Sequence, residues 1–211
     1  MVVMIPLMID FSGRPVVIFG GGDVGARKAV FFCRDADVTV ISRSFVAVFS
    51  ELPVGLITKD IDRMSEGELK DAISGAFLVV AATPDAGMNN RIGNICKRHG
   101  ILFNNAEGEE GTALIPSIER GEHFLLAIST EGVSPAVSRY IRELIELACP
   151  DLDAMIGVQA RLRTALKQRI PDQDTRSRIL RDVLHDRNVW DLLSRDPEAA
   201  WSMVAARYLH G

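Results

Sequence analysis

The sequence has little cysteine: 3 in 211 residues, an odd number set far apart at Cys33, Cys96 and Cys149. An odd, scattered set in apolar surroundings excludes a disulfide framework and a cysteine-rich metal site. It points to buried thiols in a reducing cytoplasm. Histidine is also scarce. His99, His123, His185 and His210 share no metal-ligand spacing, so no structural metal is expected. There is no excess of basic charge: 24 Lys and Arg stand against 28 Asp and Glu, a net charge of −4, which argues against a nucleic-acid partner. No apolar run approaches the roughly 18 residues of a membrane span, so no membrane association is expected. The apolar opening Met1–Met8 lacks a basic flank and runs into Asp10. It reads as a strand packed on the domain, not as a signal peptide. Internal repeats and low-complexity segments are absent.

What remains is an ordinary globular composition, 47% hydrophobic and 25% charged, on a chain long enough to bury a core. Its most informative stretch is Val16-Val17-Ile18-Phe19-Gly20-Gly21-Gly22-Asp23-Val24-Gly25, an apolar strand that breaks into glycines and restarts as a helix. Gly20, Gly22 and Gly25 fill a G-x-G-x-x-G spacing. Gly20 allows the tight turn, Gly22 lets backbone approach a pyrophosphate, and Gly25 lets the helix pack against the strand. The free N–H groups at the helix start, with Asp23 and Val24 beside them, would receive a dinucleotide diphosphate. A tight strand–helix turn without a ligand is the plainer alternative.

The first hundred residues continue this alternation. Strands are expected at 14–19, 37–41, 56–58, 76–82 and 101–104, and helices at 24–33, 66–74 and 85–99. The strands lack polar alternation, as in a parallel sheet buried on both faces. After Glu107 the rhythm changes to two strands, 112–118 and 123–129, around a turn at Glu119–Glu122. Ser134-Pro135 then opens a helix that turns Val137, Ile141, Leu144, Ile145 and Ala148 inward. From Asp151 onward the chain is helical. The fold class is α/β: a Rossmann-type parallel sheet in residues 1–111, a small β-hairpin/helix unit in 112–148, and a helical C-terminal module in 149–211.

Several residues could carry chemistry. The second strand ends in Ile41-Ser42-Arg43, where many NAD sites place an acid for the ribose. Ser42 can still bond a ribose, and Arg43 either meets a 2′-phosphate or is merely solvated, so NAD and NADP both stay open. The Thr83 hydroxyl, at the carboxyl end of the fourth strand, either bonds the cofactor or leaves the turn to Asp85, which caps the next helix.

Taken in order, Gly20–Ala29, Ala81-Ala82-Thr83-Pro84-Asp85 with Asn89, Ile115-Pro116-Ser117, and Ser129-Thr130-Glu131-Gly132-Val133-Ser134-Pro135 resemble the siroheme synthase family. This family comprises precorrin-2 dehydrogenases and the dehydrogenase/ferrochelatase module of fused siroheme synthases. The resemblance runs from about Pro6 to Leu147. It implies NAD-dependent oxidation of precorrin-2 to sirohydrochlorin, followed in some members by insertion of ferrous iron as a second substrate. It also implies a homodimer in which the hairpin and the segments after it contribute to dimerisation and to the substrate cleft. The family's Asn-x-x-Asp motif falls on Asn104-Asn105-Ala106-Glu107. Asn104 is then a cofactor residue and Glu107 the catalytic carboxylate, one methylene longer than the family's Asp, in a segment one residue short of the usual pattern.

The implied substrate carries eight carboxylates, which asks for cations and hydroxyls. Ser129 and Thr130, Arg120 and His123 at the hairpin turn, and Arg139 and Arg142 on the following helix are the candidates. The plainer readings are a capped turn and solvated helix faces, which also cover the basic run Arg161, Arg163, Lys167 and Arg169. His123 could help a metal enter the pyrrole nitrogens. A competing reading keeps the Rossmann half as a dinucleotide-sensing or partner-binding protein whose catalytic cleft has drifted.

Overall fold

The structure is a computed structural model that describes residues 4–106 and 111–209. The chain divides into two compact units, Met1–Ile115 and Pro116–Gly211. The first holds β1 (Pro15–Phe19), α1 (Asp23–Phe32), β2 (Asp37–Ser42), β3 (Gly55–Thr58), α2 (Glu66–Ala72), β4 (Leu78–Ala81), α3 (Ala86–His99) and β5 (Leu102–Asn105). Short 3-10 turns at Ala47–Glu51 and Ile61–Arg63, not anticipated from the sequence, flank β3.

The strands form one sheet in the order β3-β2-β1-β4-β5, every pairing parallel. Alternate residues feed two cores. Val17, Phe19, Val79, Ala81 and Phe103 pack with Leu69 of α2 and Ile92 and Ile95 of α3. Val16, Ile18, Val40 and Val80 pack on the other face with Ala26, Ala29 and Phe32 of α1. The chain turns back over the sheet between β3 and β4, so the carboxyl ends of β1 and β4 form the switch point at which open α/β sheets hold ligands.

The second unit contains an antiparallel hairpin, β6 (Ser117–Arg120) and β7 (Leu125–Ile128), followed by α4 (Pro135–Ala148), α5 (Leu152–Arg169), α6 (Gln173–His185), α7 (Arg187–Leu193) and α8 (Pro197–Leu209). Met155, Val158, Leu162 and Leu166 recur along one face of α5. They form a core with Val183 of α6, Val189 and Leu193 of α7, and Ala200 and Val204 of α8. Among the described residues no helix is long and apolar enough to cross a membrane.

Four local expectations are corrected. The described part of the N-terminal segment is not a strand packed on the domain. Residues 4–11 have no regular structure, and Ile5, Leu7 and Met8 are exposed, because β3 and β5 are the sheet edges and neither pairs with it. The first hairpin strand starts at Ser117, and its turn lies at Gly121–Phe124. There Asp153 of α5 accepts the N–H groups of Glu122 (2.9 Å) and His123 (2.8 Å), which hold its carboxyl below the ordinary range. Of the cysteines only Cys96 is buried, its thiol pushed up to about 12 by desolvation; Cys33 is half-buried and Cys149 exposed. Finally, the apolar stripe of α4 is not turned inward. Val137, Ile141, Leu144 and Ala148 are exposed, while Ser138 is the buried residue of that helix. A stripe at helical spacing needs a cover, and the hairpin occupies another side of α4.

Candidate active site

A cleft of about 500 Å³ opens over the turn between β1 and α1, lined by Gly20, Gly21, Gly22, Asp23 and Val24, by Ser42 to Val46, by Ile61 and Asp62, and by Ala82 to Asp85. Its shape comes from the glycines. Gly20 has φ +118°, and a Cβ there would stand 2.3 Å from the Ala82 carbonyl oxygen, so the turn can pass β4 only without a side chain. A Cβ on Gly25 would stand 2.0 Å from the Gly20 carbonyl oxygen, which shows how tightly α1 sits on the turn. At Gly22 a Cβ would meet nothing within 4 Å: the space above this residue is open.

The start of α1 is also chemically open. In the first unit α2 is capped by Ser65 and α3 by Asp85, whereas Gly22, the N-cap of α1, offers no side-chain acceptor. The first N–H groups of a helix have no intrahelical partner. They therefore face the cleft, reinforced by the helix dipole, as donors for an anion. The exposed Asp23 carboxylate sits beside them. Glycine cradle and uncapped helix together fit the diphosphate of a nicotinamide dinucleotide.

The strand ends around the cleft are fixed locally. Thr83 is buried, and its hydroxyl donates to Asn89 Oδ1 at 2.6 Å and contacts the Asp85 carbonyl at 3.1 Å. Asn89 returns a bond from Nδ2 to the Thr83 carbonyl at 2.9 Å. Thr83 thus shapes the β4–α3 turn, with its hydroxyl already engaged inside the protein. Asn89, a member of the Ala81–Asn89 motif, is the residue that locks that turn. Arg43 is engaged as well, with Asp62 at 3.5 Å and Asp60 at 3.9 Å. At the end of β5, Asn104 Nδ2 donates to the Ala113 carbonyl at 2.9 Å. Its buried Oδ1 has no partner among the described residues.

Glu107 lies outside the described residues. Its neighbour Ala106 donates its N–H to the Ala81 carbonyl at 2.9 Å, at the carboxyl edge of β4. The chain is beside β5 again by Thr112 and Ala113, which bond to the backbone of Phe103.

The residues expected to meet substrate carboxylates all lie in the second unit. Ser129 Oγ accepts the Glu131 N–H at 3.0 Å, and Thr130 Oγ1 accepts the Ser134 N–H at 3.0 Å and contacts Ser138 Oγ. These bonds fold the β7–α4 turn, in which Glu131 and Gly132 both take positive φ, and Ser134 caps α4. Arg139 pairs with Glu143 at 2.9 Å, and Arg142 pairs with Glu119, Glu143 and Glu146. A hydrogen bond with Glu119 lifts Glu146 above the ordinary carboxylate range. Arg120 ends β6 just before the hairpin turn and His123 lies within it, with the His123 ring 4.0 Å from the Glu122 carboxylate.

Comparison with known proteins joins these features. The family model described as "Putative NAD(P)-binding" matches residues 7–117, which span the sheet and its cleft. The precorrin-2 dehydrogenase of Methanosarcina barkeri is 42% identical over 93% of this chain and 89% of its own length. The siroheme synthase of Blochmanniella pennsylvanica is 30% identical over 90% of this chain, which spans only 40% of that longer protein. The structure of SirC, a precorrin-2 dehydrogenase, superposes with a TM-score of 0.73 at 22% identity over 96% of this chain and all of its own, a match of fold. With an open glycine cradle at the switch point and a near-full-length relative 42% identical, the chain belongs to the precorrin-2 dehydrogenase/siroheme synthase family of nicotinamide-dinucleotide-binding Rossmann proteins.

Proposed function

We propose that this chain oxidises precorrin-2 to sirohydrochlorin with NAD as the hydride acceptor. The 42% identity over nearly the whole of a named precorrin-2 dehydrogenase carries the reading. Bound in the cleft, the nicotinamide supplies the hydride-accepting carbon. The protein's own part begins with the N–H groups at the start of α1, which hold the diphosphate above Gly22, and with Ser42 at the ribose. Asn104 Oδ1, a buried acceptor without a described partner, takes the carboxamide N–H of the cofactor. Glu107 takes the proton that the oxidised ring must lose. Ser129, Thr130, Arg120, His123, Arg139 and Arg142 serve the substrate's carboxylates. Arg139 and Arg142 do so by exchanging protein carboxylates for the substrate's, an exchange that is cheap for partly exposed pairs. NAD is favoured over NADP because Arg43, the cation of the cleft nearest the ribose end, is held by two aspartates. The free thiols suit the cytoplasm.

The purified protein with precorrin-2 and NAD should produce NADH together with the sirohydrochlorin spectrum. Dinucleotide binding without turnover, with NAD and NADP alike, would overturn the enzyme reading in favour of a dinucleotide sensor. The match to siroheme synthases supports ferrous-iron insertion as a second activity. Iron added to sirohydrochlorin with and without the protein tests it, and equal rates would remove it.

Asn104→Leu keeps the branched shape of the side chain at a larger volume and trades one hydrogen bond for the loss of an unsatisfied oxygen. Its melting temperature should stay close to that of the parent while NAD affinity falls about tenfold. Unchanged affinity in calorimetric titration would remove Asn104 from the cofactor site.

The uncovered stripe of α4 supports a homodimer through residues 112–148. Tyr140 is 59% and Leu147 81% exposed on the same helix as Val137, Ile141 and Leu144, and Val133, in the turn before it, is 88% exposed. Contiguous apolar surface of this kind marks an interaction face. The double variant Val137→Glu, Leu144→Glu should therefore elute as a monomer where the parent elutes as a dimer, as read by light scattering. A monomeric parent, or a dimeric variant, would dismiss this face as the interface.

A further inference from the structure

Dinucleotide sites of this architecture rely on an acid at the end of the second strand to bind the ribose hydroxyls, and here that position is Ser42-Arg43. An acid is nevertheless present, supplied by the neighbouring strand. Ser42 pairs with Thr58 across β2 and β3, and the Lys59 N–H donates to the Ser42 carbonyl at 2.9 Å, so the chain leaving β3 stays against the end of β2. It then enters the turn Ile61–Arg63, anchored by Ile61, which is 7% exposed in the core. Asp62 follows directly. Its side chain lines the cleft with Ser42 and Arg43 and is half exposed.

The two aspartates of this turn differ. Asp60 is engaged in structure: it accepts the Asp62 N–H at 3.2 Å, pairs with Arg63 at 3.4 Å and reaches Arg43 at 3.9 Å. Asp62 makes one ion pair among the described residues, to Arg43 Nη2 at 3.5 Å. Its carboxylate thus keeps acceptor capacity toward the cleft, since an ionised carboxylate has about four lone-pair sites.

We infer that Asp62 is the ribose-recognition and cofactor-selecting residue. Its carboxylate accepts the vicinal hydroxyls of the adenosine ribose while holding Arg43 away from any 2′-phosphate. This rests on the cleft being the dinucleotide site. A 2′-phosphate carries close to two negative charges and would face Asp62 and Asp60 with their arginine already paired. NADP is thereby rejected by like charge, and NAD is accepted by hydrogen bonds to a charged acceptor.

The test is calorimetric titration of the full chain with NAD and with NADP, for the parent, Asp62→Ala and the double variant Asp62→Ala, Arg43→Ala, with melting temperatures recorded for each. Asp62→Ala should weaken NAD about tenfold or more. It should also strengthen NADP about tenfold as Arg43 is released, and the double variant should lose that gain. An unchanged NAD-to-NADP affinity ratio in the folded Asp62→Ala protein overturns the role of Asp62 and leaves the cofactor site standing. A parent chain that binds neither dinucleotide overturns the cleft reading itself.

Discussion

Replacing Gly22 by serine should leave the fold as stable as before and weaken NAD binding about a hundredfold or more. The two halves of this result have separate causes. Gly22 has φ −83° and ψ −173°, an extended conformation open to any residue, and a Cβ there meets nothing within 4 Å. Serine is also a better N-cap than glycine by a few tenths of a kcal/mol, because its Oγ accepts an N–H from the first turn of the helix. Those N–H groups are the donors the diphosphate needs, so the new side chain fills the cradle and occupies its donors at once. Losing two charge-assisted hydrogen bonds at about 1.5–3 kcal/mol each gives the stated loss of affinity. Titration reads the affinity directly. In thermal melts, NAD at about a hundred times the parent's dissociation constant stabilises the parent by about 2.7 kcal/mol and should stabilise the variant by about 0.4 kcal/mol or less. The same substitution at Gly25 should do the opposite kind of damage. Its Cβ would press on the Gly20 carbonyl, a backbone atom that cannot rotate away, at a cost of roughly 3 kcal/mol and a fall of roughly 10 °C in melting temperature. A Gly22→Ser protein that binds NAD like the parent would dismiss the cradle as a diphosphate site.

The difference between these two glycines was legible in the sequence, because strand, turn and helix follow each other within a dozen residues and each glycine has a local steric task. The same holds for the helix opened by Ser134-Pro135 and for α3, capped by Asp85. What the sequence could not show were contacts made across long separations. The hairpin turn sits where Asp153, 30 residues away, receives two backbone N–H groups. Arg43 reads as an available cation until Asp60 and Asp62, which follow the next strand, are seen beside it. The stripe on α4 has the spacing of a core face, and periodicity reports only that a cover is needed, not whether the same chain supplies it. Asp62 carried one signal, an Asp-x-Asp pair just after the strand beside β2, but its meaning depends on strand order.

The acid expected to do the chemistry is Glu107, and its substitution separates binding from turnover. Glu107→Gln should lower kcat about a hundredfold to a thousandfold and leave NAD affinity as it is, because the amide keeps the size of the side chain and cannot take a proton. In the proposed binding mode the diphosphate is held by backbone at the start of α1, which this change does not touch. The flanks support a role at the carboxyl edge of the sheet: Ala106 is bonded to the end of β4, and Thr112 and Ala113 are bonded back to β5. Glu107→Asp supplies the sharper comparison. It restores a carboxylate one methylene shorter, and turnover should recover to within about tenfold of the parent if proton acceptance is the task. If Glu107 is the base, the limb of the kcat profile that reports its ionisation should vanish in the glutamine variant and persist in the aspartate one. Equal turnover of parent and glutamine variant would remove Glu107 from the mechanism and leave the proton to another acceptor.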